Sequence, residues 1–269
     1  MADIASARSL LFVPGNRPER FAKAAASGAH AIVLDLEDAV PPDGKDAARE
    51  AVAVWLHAGR SGIVRVNAAD TPWHADDLRM LAATPAAAML AKADADAVAG
   101  AAAALPGRAI VALVETVKGY MELARVATHP GVVRVAFGSV DFGTETGIAD
   151  VGDAMTAVRT RIVLESCFAG LAAPVDGVSL GVDDEEATRR DALRARQLGF
   201  GGKLCIHPRQ VAAVNAGFRP GEAELQWARR VLDAIAASGG NATTVDGKMI
   251  DRPVVEQARR ILSGGGRPG

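Results

Sequence analysis

Short apolar runs rich in β-branched residues recur along the chain, and each is followed by a longer stretch with apolar positions at helical spacing. The runs fall at 9–13, 31–36, 63–66, 86–90, 109–114, 132–137, 175–180 and 203–206. This alternation is the mark of repeated βα units around a parallel sheet, and eight units close a barrel. The predicted fold is α/β, a (β/α)8 TIM barrel. Glu19, Asp76, Asp94 and Asp183 suit the first turns of the helices, and Gly28, Gly59 and Gly199 suit their ends. A doubly wound open sheet is the alternative, but the GxGxxG turn that would follow its first strand is missing.

After the eighth run the pattern changes. An amphipathic stretch at 222–237, a glycine-rich break, the segment 243–251 and a last helix beginning at Pro253 fall outside the barrel count. The domain reading is a barrel over 1–218 and a C-terminal helical extension over 219–269, with a mobile tail at 264–269. Such an extension either packs on its own barrel or reaches a neighbouring subunit.

Composition narrows the class of partner. A chain of 269 residues with 49% hydrophobic content can bury one large core, and its 30 basic and 32 acidic residues leave no positive excess for gripping a nucleic acid. The apolar run 10–13 stops at Pro14, so neither a signal peptide nor a membrane span is expected. Cys167 and Cys205 read as reduced core thiols, one on a helix and one on a strand, which fits a cytoplasmic protein.

Catalytic groups of such barrels collect at the C-terminal ends of the strands. Here those ends carry Pro14-Gly15-Asn16, Asp35-Leu36-Glu37-Asp38, Arg65 with Asn67, Glu115-Thr116 and Gly138-Ser139-Val140-Asp141. Glu115 and Asp141 end neighbouring strands and offer the hard oxygen ligands that Mg²⁺ prefers, with Glu37 and Asp38 placed to hold its waters. Carboxylates in these positions also cap helices, and that reading stands beside the metal one. Arg65 is an inward guanidinium that needs an anion, supplied either by a bound carboxylate or by Glu37 or Asp38. His207, after the eighth strand, lines a cofactor mouth or fixes its loop; Lys92, ending the fourth, is equally ambiguous. His30, His57, His74 and His129 lack metal-ligand spacing and read as surface or loop residues.

Taken in order, six segments resemble one family: 8–16 (RSLLFVPGN), 33–40 (VLDLEDAV), Arg65-Val66-Asn67, Val114-Glu115-Thr116, Gly138-Ser139-Val140-Asp141-Phe142, and Gly202-Lys203 through Ile206-His207-Pro208. The chain resembles the citrate lyase β-subunit-like proteins, which include malyl-CoA and citramalyl-CoA lyases within the wider HpcH/HpaI aldolase group, and the match runs from about Arg8 to Ile261. The resemblance implies Mg²⁺ on Glu115 and Asp141, with Mn²⁺ as a substitute, and Arg65 on the oxoacid and thioester oxygens. It further implies that the Pro14-Gly15 and Glu37-Asp38 turns and Gly138 shape the substrate floor, and that the chain assembles as a homotrimer or hexamer. In the lyases that act on free coenzyme A thioesters, a C-terminal segment brings an acid–base aspartate to the adjacent subunit's site; 247–253 looks like that segment and Asp251 is the candidate.

The expected reaction is cleavage or formation of a 3-hydroxyacyl-CoA such as malyl-CoA or citramalyl-CoA, giving acetyl-CoA and a 2-oxoacid. Arg65 stabilises the enolate oxygen and Asp251 exchanges a proton with the enolate carbon. Arg17 and Arg20, with His207, are the candidate coenzyme A contacts. The rival readings are a citrate lyase β subunit acting on a citryl thioester, a metal-dependent aldolase on free hydroxy-oxoacids, and a non-catalytic subunit that binds coenzyme A esters for assembly.

Overall fold

The computed structural model describes residues 3–239 and 241–264, so most of the glycine-rich tail falls outside the described residues. Eight parallel strands close a barrel in chain order: β1 (Ser9–Pro14), β2 (Ala31–Asp35), β3 (Ile63–Val66), β4 (Ala87–Leu90), β5 (Ile110–Val114), β6 (Val132–Phe137), β7 (Val175–Asp176) and β8 (Gly202–Cys205). Around them run α1 (Phe21–Ala25), α2 (Lys45–His57), α3 (His74–Ala82), α4 (Ala95–Ala104), α5 (Val117–Met121), α6 (Leu123–Ala127), α7 (Ser139–Thr146), α8 (Thr156–Phe168), α9 (Glu185–Leu198) and α10 (Pro208–Gly217). The (β/α)8 TIM barrel expected from the alternation is the fold of the chain.

The strands read as unbroken apolar runs because both of their faces are buried. Leu10, Val33, Ile63, Met89, Val111 and Leu204 fill the barrel interior. Their neighbours Leu11, Leu34, Val64, Leu90, Ala112 and Cys205 face outward into the helices. Side chains alternate with a period of two, so Pro14, Asp35, Arg65, Glu115 and Gly138 continue the inward series begun by Leu10, Val33, Ile63, Leu113 and Ala136. This is why polar strand ends from across the sequence meet on the barrel axis.

The opposite end of the barrel is closed by Arg134, an inward residue of β6 that is fully buried. Its guanidinium donates to the carbonyls of Ala173 (2.6 Å), Ile4 (2.7 Å) and Ala7 (2.7 Å), stitching the N-terminal segment under the sheet. Burial lowers its pKa to about 10, opposed only in part by Asp3.

Several sequence expectations need correction. The seventh run was expected to extend to residue 180, yet β7 pairs only at Val175 and Asp176. At Gly177 the chain passes so close to Ser139 that a Cβ would strike its Oγ, and the alternation continued by Val178 and Leu180 lines a cavity instead of a ladder. A buried ionic cluster stands beside this short strand: Asp176 meets Arg159 Nε (2.8 Å) and Lys203 Nζ (3.5 Å), and Arg159 is bidentate to Asp150 (2.7 and 2.9 Å). The strand expected at 203–206 is shifted back by one residue, to Gly202–Cys205. Asp184, not Asp183, caps α9, accepting the N–H of Ala187 at 2.8 Å. Cys205 is buried as expected, whereas Cys167 is exposed on α8 and is no core thiol.

Beyond the barrel lie α11 (Glu222–Ala237), an antiparallel hairpin of β9 (Thr243–Val245) and β10 (Lys248–Ile250), and α12 (Arg252–Leu262). Asp246 and Gly247, both at positive φ, form the two-residue turn that suits a hairpin. The unit has its own apolar core of Ala228, Val231, Val245, Ile250, Val255 and Ala258. Polar ties to the barrel include Arg196 on Glu224 (2.5 Å) and Arg8 on the carbonyl of Gly264 (2.7 Å). Among the described residues no helix is long and apolar enough to cross a membrane.

Candidate active site

A cavity of about 400 Å³ opens at the C-terminal end of the barrel. Its polar wall is made by Asp35, Asp38, Arg65, Glu115, Ser139 and Asp141, beside Pro14 and Gly138. Phe12, Leu113, Phe137, Val178 and Leu204 make the apolar wall. A larger groove of about 770 Å³ lies outside the barrel between α3 and α4, but its Lys118 and Arg79 are already paired with Asp94 and Asp76. The convergence of unlike charges is on the axis.

Arg65 is the centre of that convergence. Register places it opposite Asp35 on the adjacent strand, and the two form a bidentate pair, Nε to Oδ1 at 2.7 Å and Nη2 to Oδ2 at 2.6 Å. Its remaining nitrogen, Nη1, lies 2.9 Å from Glu37 and 3.7 Å from Asp38, and the guanidinium rests on the Phe12 ring at 4.6 Å. The sequence reading expected Glu37 or Asp38 as its structural partner; Asp35 is the primary one. Asp35 also accepts the N–H groups of Glu37 (2.9 Å) and Ala39 (3.2 Å), so one carboxylate fixes both the arginine and the acidic turn.

Glu115 is buried at the end of β5, where its Oε1 accepts the N–H of Lys92 at 2.7 Å. Lys92 adopts φ 49° to present that N–H, a left-handed conformation uncommon for a residue with a side chain. Burial pushes the Glu115 carboxyl up to about 8, reinforced by Glu37 and Asp141, and opposed by the Lys92 N–H and by Arg65. Glu37 is buried as well. Burial raises it to about 7 against the pull of Arg65, whose Nη1 lies 2.9 Å from one of its oxygens, while Lys92 Nζ stands 3.4 Å from the other. Gly138 packs flat on Glu115, and any Cβ there would collide with the glutamate side chain.

Asp141 is exposed at the cavity mouth in the first turn of α7. That turn carries N–H groups without intrahelical partners, and beside them the buried Ser139 Oγ has no hydrogen-bond partner of good geometry among the described residues. Among the described residues no group of three His, Cys, Asp or Glu side chains could hold a metal ion by itself. Two carboxylates are nevertheless the usual protein share of a Mg²⁺ site, the rest being waters and substrate oxygens. Glu115 fits: a crowded, buried acid whose charged form is disfavoured until a cation arrives.

The other predicted residues lie outside the cavity wall. Gly15 sits behind it, its N–H on the carbonyl of Asp35 at 2.7 Å, with room for no side chain. Arg17 and Arg20 are exposed, and both are engaged by Glu19, at 2.6 and 3.9 Å. His207 caps α10, its Nδ1 accepting the N–H of Arg209 at 3.2 Å, which is the loop-fixing alternative. Asp251 caps α12 in the extension and does not line the cavity of its own chain.

Sequence reasoning missed Lys45, a buried ammonium of α2 that donates to the carbonyls of Leu36 and Glu37 (2.7 Å each) and to Asn67 (2.6 Å). It holds the acidic turn from beneath. Its only sequence signal is a lysine at the start of an amphipathic helix, where lysines are usually solvated.

The HpcH/HpaI aldolase/citrate lyase family model matches residues 8–208. A citrate lyase subunit beta-like protein of Deinococcus radiodurans is 36% identical over 95% of this chain and 96% of its own length. A (3S)-malyl-CoA thioesterase of Cereibacter sphaeroides is 36% identical over 95% and 93%. Among solved structures, CitE of Mycobacterium tuberculosis in complex with magnesium, acetoacetate and coenzyme A has a TM-score of 0.86 and 36% identity, covering 97% of this chain and 99% of that one.

Proposed function

The chain belongs to the HpcH/HpaI aldolase/citrate lyase family, and from that premise we propose that it is a Mg²⁺-dependent carbon–carbon lyase that interconverts a 3-hydroxyacyl-CoA with acetyl-CoA and a 2-oxoacid. The observation that carries the reading is the buried Glu115 beside Asp141 and Arg65 in one axial cavity. The M. tuberculosis relative, solved with magnesium, acetoacetate and coenzyme A, supports it.

Glu115 and Asp141 would hold Mg²⁺, and Mn²⁺ suits the same oxygen donors. When bound, the ion would supply Lewis-acid polarisation of the substrate's oxygens, easing loss of the hydroxyl proton to water. The free N–H groups at the start of α7 seat the carboxylate at a site that favours anions. Arg65, held rigid by Asp35, keeps a positive charge beside the thioester oxygen as the bond electrons move onto it. Glu37 and Asp38 would order water around the ion, and Pro14 and Gly138 leave the cavity wall bare enough for substrate to approach, with Gly15 packed behind it. Asp251 exchanges the proton at the enolate carbon, and its place outside its own cavity supports a role at the site of an adjacent subunit in a trimer or hexamer. Arg17, Arg20 and His207 remain this reading's candidate contacts for coenzyme A.

Malyl-CoA and citramalyl-CoA are the substrates to test, with Mg²⁺ and with EDTA, following acyl-CoA and oxoacid products by mass spectrometry. Metal-dependent appearance of acetyl-CoA with glyoxylate or pyruvate supports the reading. Free coenzyme A and the intact hydroxyacid would instead mark a thioesterase, the activity named for the Cereibacter relative.

A further inference from the structure

Val140, Leu180 and Ile206 stand round the cavity mouth with 42%, 70% and 41% of their surface exposed. Large aliphatic side chains grouped at one opening mark a surface that receives an apolar segment of ligand. Two of the three are held by one buried residue, Gln210, which is 2% exposed.

The Gln210 amide spends its full capacity on backbone. Its Oε1 accepts the N–H groups of Ile206 (2.9 Å) and His207 (3.2 Å). Its Nε2 donates to the carbonyls of Ser179 (2.7 Å) and Gly181 (3.0 Å), the two residues flanking Leu180. The loop after β7 is thereby stapled to the loop after β8. Its other ties, Ser179 to Asp191 (2.7 Å) and Arg209 to Asp183 (2.5 Å), are exposed and correspondingly weak. A glutamate at 210 would set carboxylate oxygen against two carbonyls, so the amide is chemically specific to the task.

Resting on the lyase reading above, we propose that Gln210 is a positioning residue: it holds Leu180 and Ile206 as an apolar lip for the arm of the coenzyme A thioester, and so governs KM for the thioester and not the chemistry inside. The lip is continuous with the cavity, and its two loops carry none of the groups assigned to the bond-making step, Glu115, Asp141, Arg65 and Asp251.

The test is steady-state kinetics of the full-length, Mg²⁺-supplemented enzyme, with parallel calorimetry of pyruvate binding. For Gln210→Glu and Leu180→Ser, KM for the thioester should rise about tenfold, the loss of roughly half of one buried aliphatic contact, with kcat and pyruvate affinity held within about twofold. Leu180 is already solvent-exposed, so its variant decides the matter if Gln210→Glu fails to fold. An unchanged KM in Leu180→Ser, or a fall in kcat at constant KM, overturns the proposal. So does a change of oligomeric state by light scattering with KM unaltered, which would give the lip to a second copy. Absence of turnover in the wild type would sink the lyase reading separately; calorimetry of acetyl-CoA on wild type and Leu180→Ser would then judge the lip alone, equal affinities overturning it.

Discussion

Replacing Asp35 with alanine removes one partner from a buried ion pair and leaves Arg65 in place. Breaking a pair in this way costs about 3–5 kcal/mol. Glu37 still lies 2.9 Å from Nη1, so the guanidinium keeps one anion and the pair loss belongs near about 3 kcal/mol. Two N–H groups, of Glu37 and Ala39, lose their acceptor, adding about 1 kcal/mol between them since the turn can relax toward water. The sum of about 4 kcal/mol corresponds to a Tm lower by roughly 8–16 °C for a chain of this size. Replacing both partners, Asp35→Leu with Arg65→Met, removes the stranded charge and should recover about 2 kcal/mol over Asp35→Ala. Urea and thermal unfolding followed by circular dichroism would measure all three. Turnover separates the roles: the double variant regains stability but stays inactive, while Asp35→Ala loses about 100-fold through misplacement of Arg65. A single variant within about 1 kcal/mol of wild type, or a double variant no more stable than Asp35→Ala, would refute the reasoning.

Gly138→Ala should lower kcat by about 100-fold and cost about 1–3 kcal/mol of stability, because the new methyl meets the Glu115 Cβ as well as its carboxylate; Mg²⁺ calorimetry, turnover and thermal unfolding together check it. Burial pushes the Cys205 thiol up to about 12, so at pH 8 it stays neutral, and a chromogenic disulfide should titrate Cys167 in the native protein and both thiols only after denaturation. Asp251→Asn should cut kcat by about 10²–10⁴-fold with Mg²⁺ affinity intact. Mixing subunits of that variant with Glu115→Gln should restore part of the activity, since some sites then draw both residues from intact copies; activity that stays additive across mixing ratios would exclude delivery between subunits.

The barrel was legible because strands buried on two faces read as short, unbroken apolar runs, and the strand-end rule gathered Arg65, Glu115, Asp141 and Gly138 on one cavity wall. The end of β7 was not legible, since Val178 and Leu180 keep the alternation of a strand while serving a cavity. The Asp35–Arg65 pair was within reach, as both continue the inward parity of their strands and stand opposite each other in register, although the expected partners were Glu37 and Asp38. Lys45 had no such signal, because its burial depends on the Glu37 turn folding back over α2. Cys167 was misjudged because α8 carries apolar residues well round its circumference, with Leu164 and Phe168 among the exposed ones.

With only two paired residues in β7, the hydrogen-bonded ring has a thin sector, and the Asp150–Arg159–Asp176–Lys203 cluster spans it with charge where its neighbours use a backbone ladder. Ladders are indifferent to which side chains they join, whereas an ionic clasp fails as a unit when one member is lost. Breathing of the wall should therefore concentrate there. That sector adjoins the loop bearing Leu180, so the side of the barrel that yields most readily is also the side by which a bulky molecule would enter.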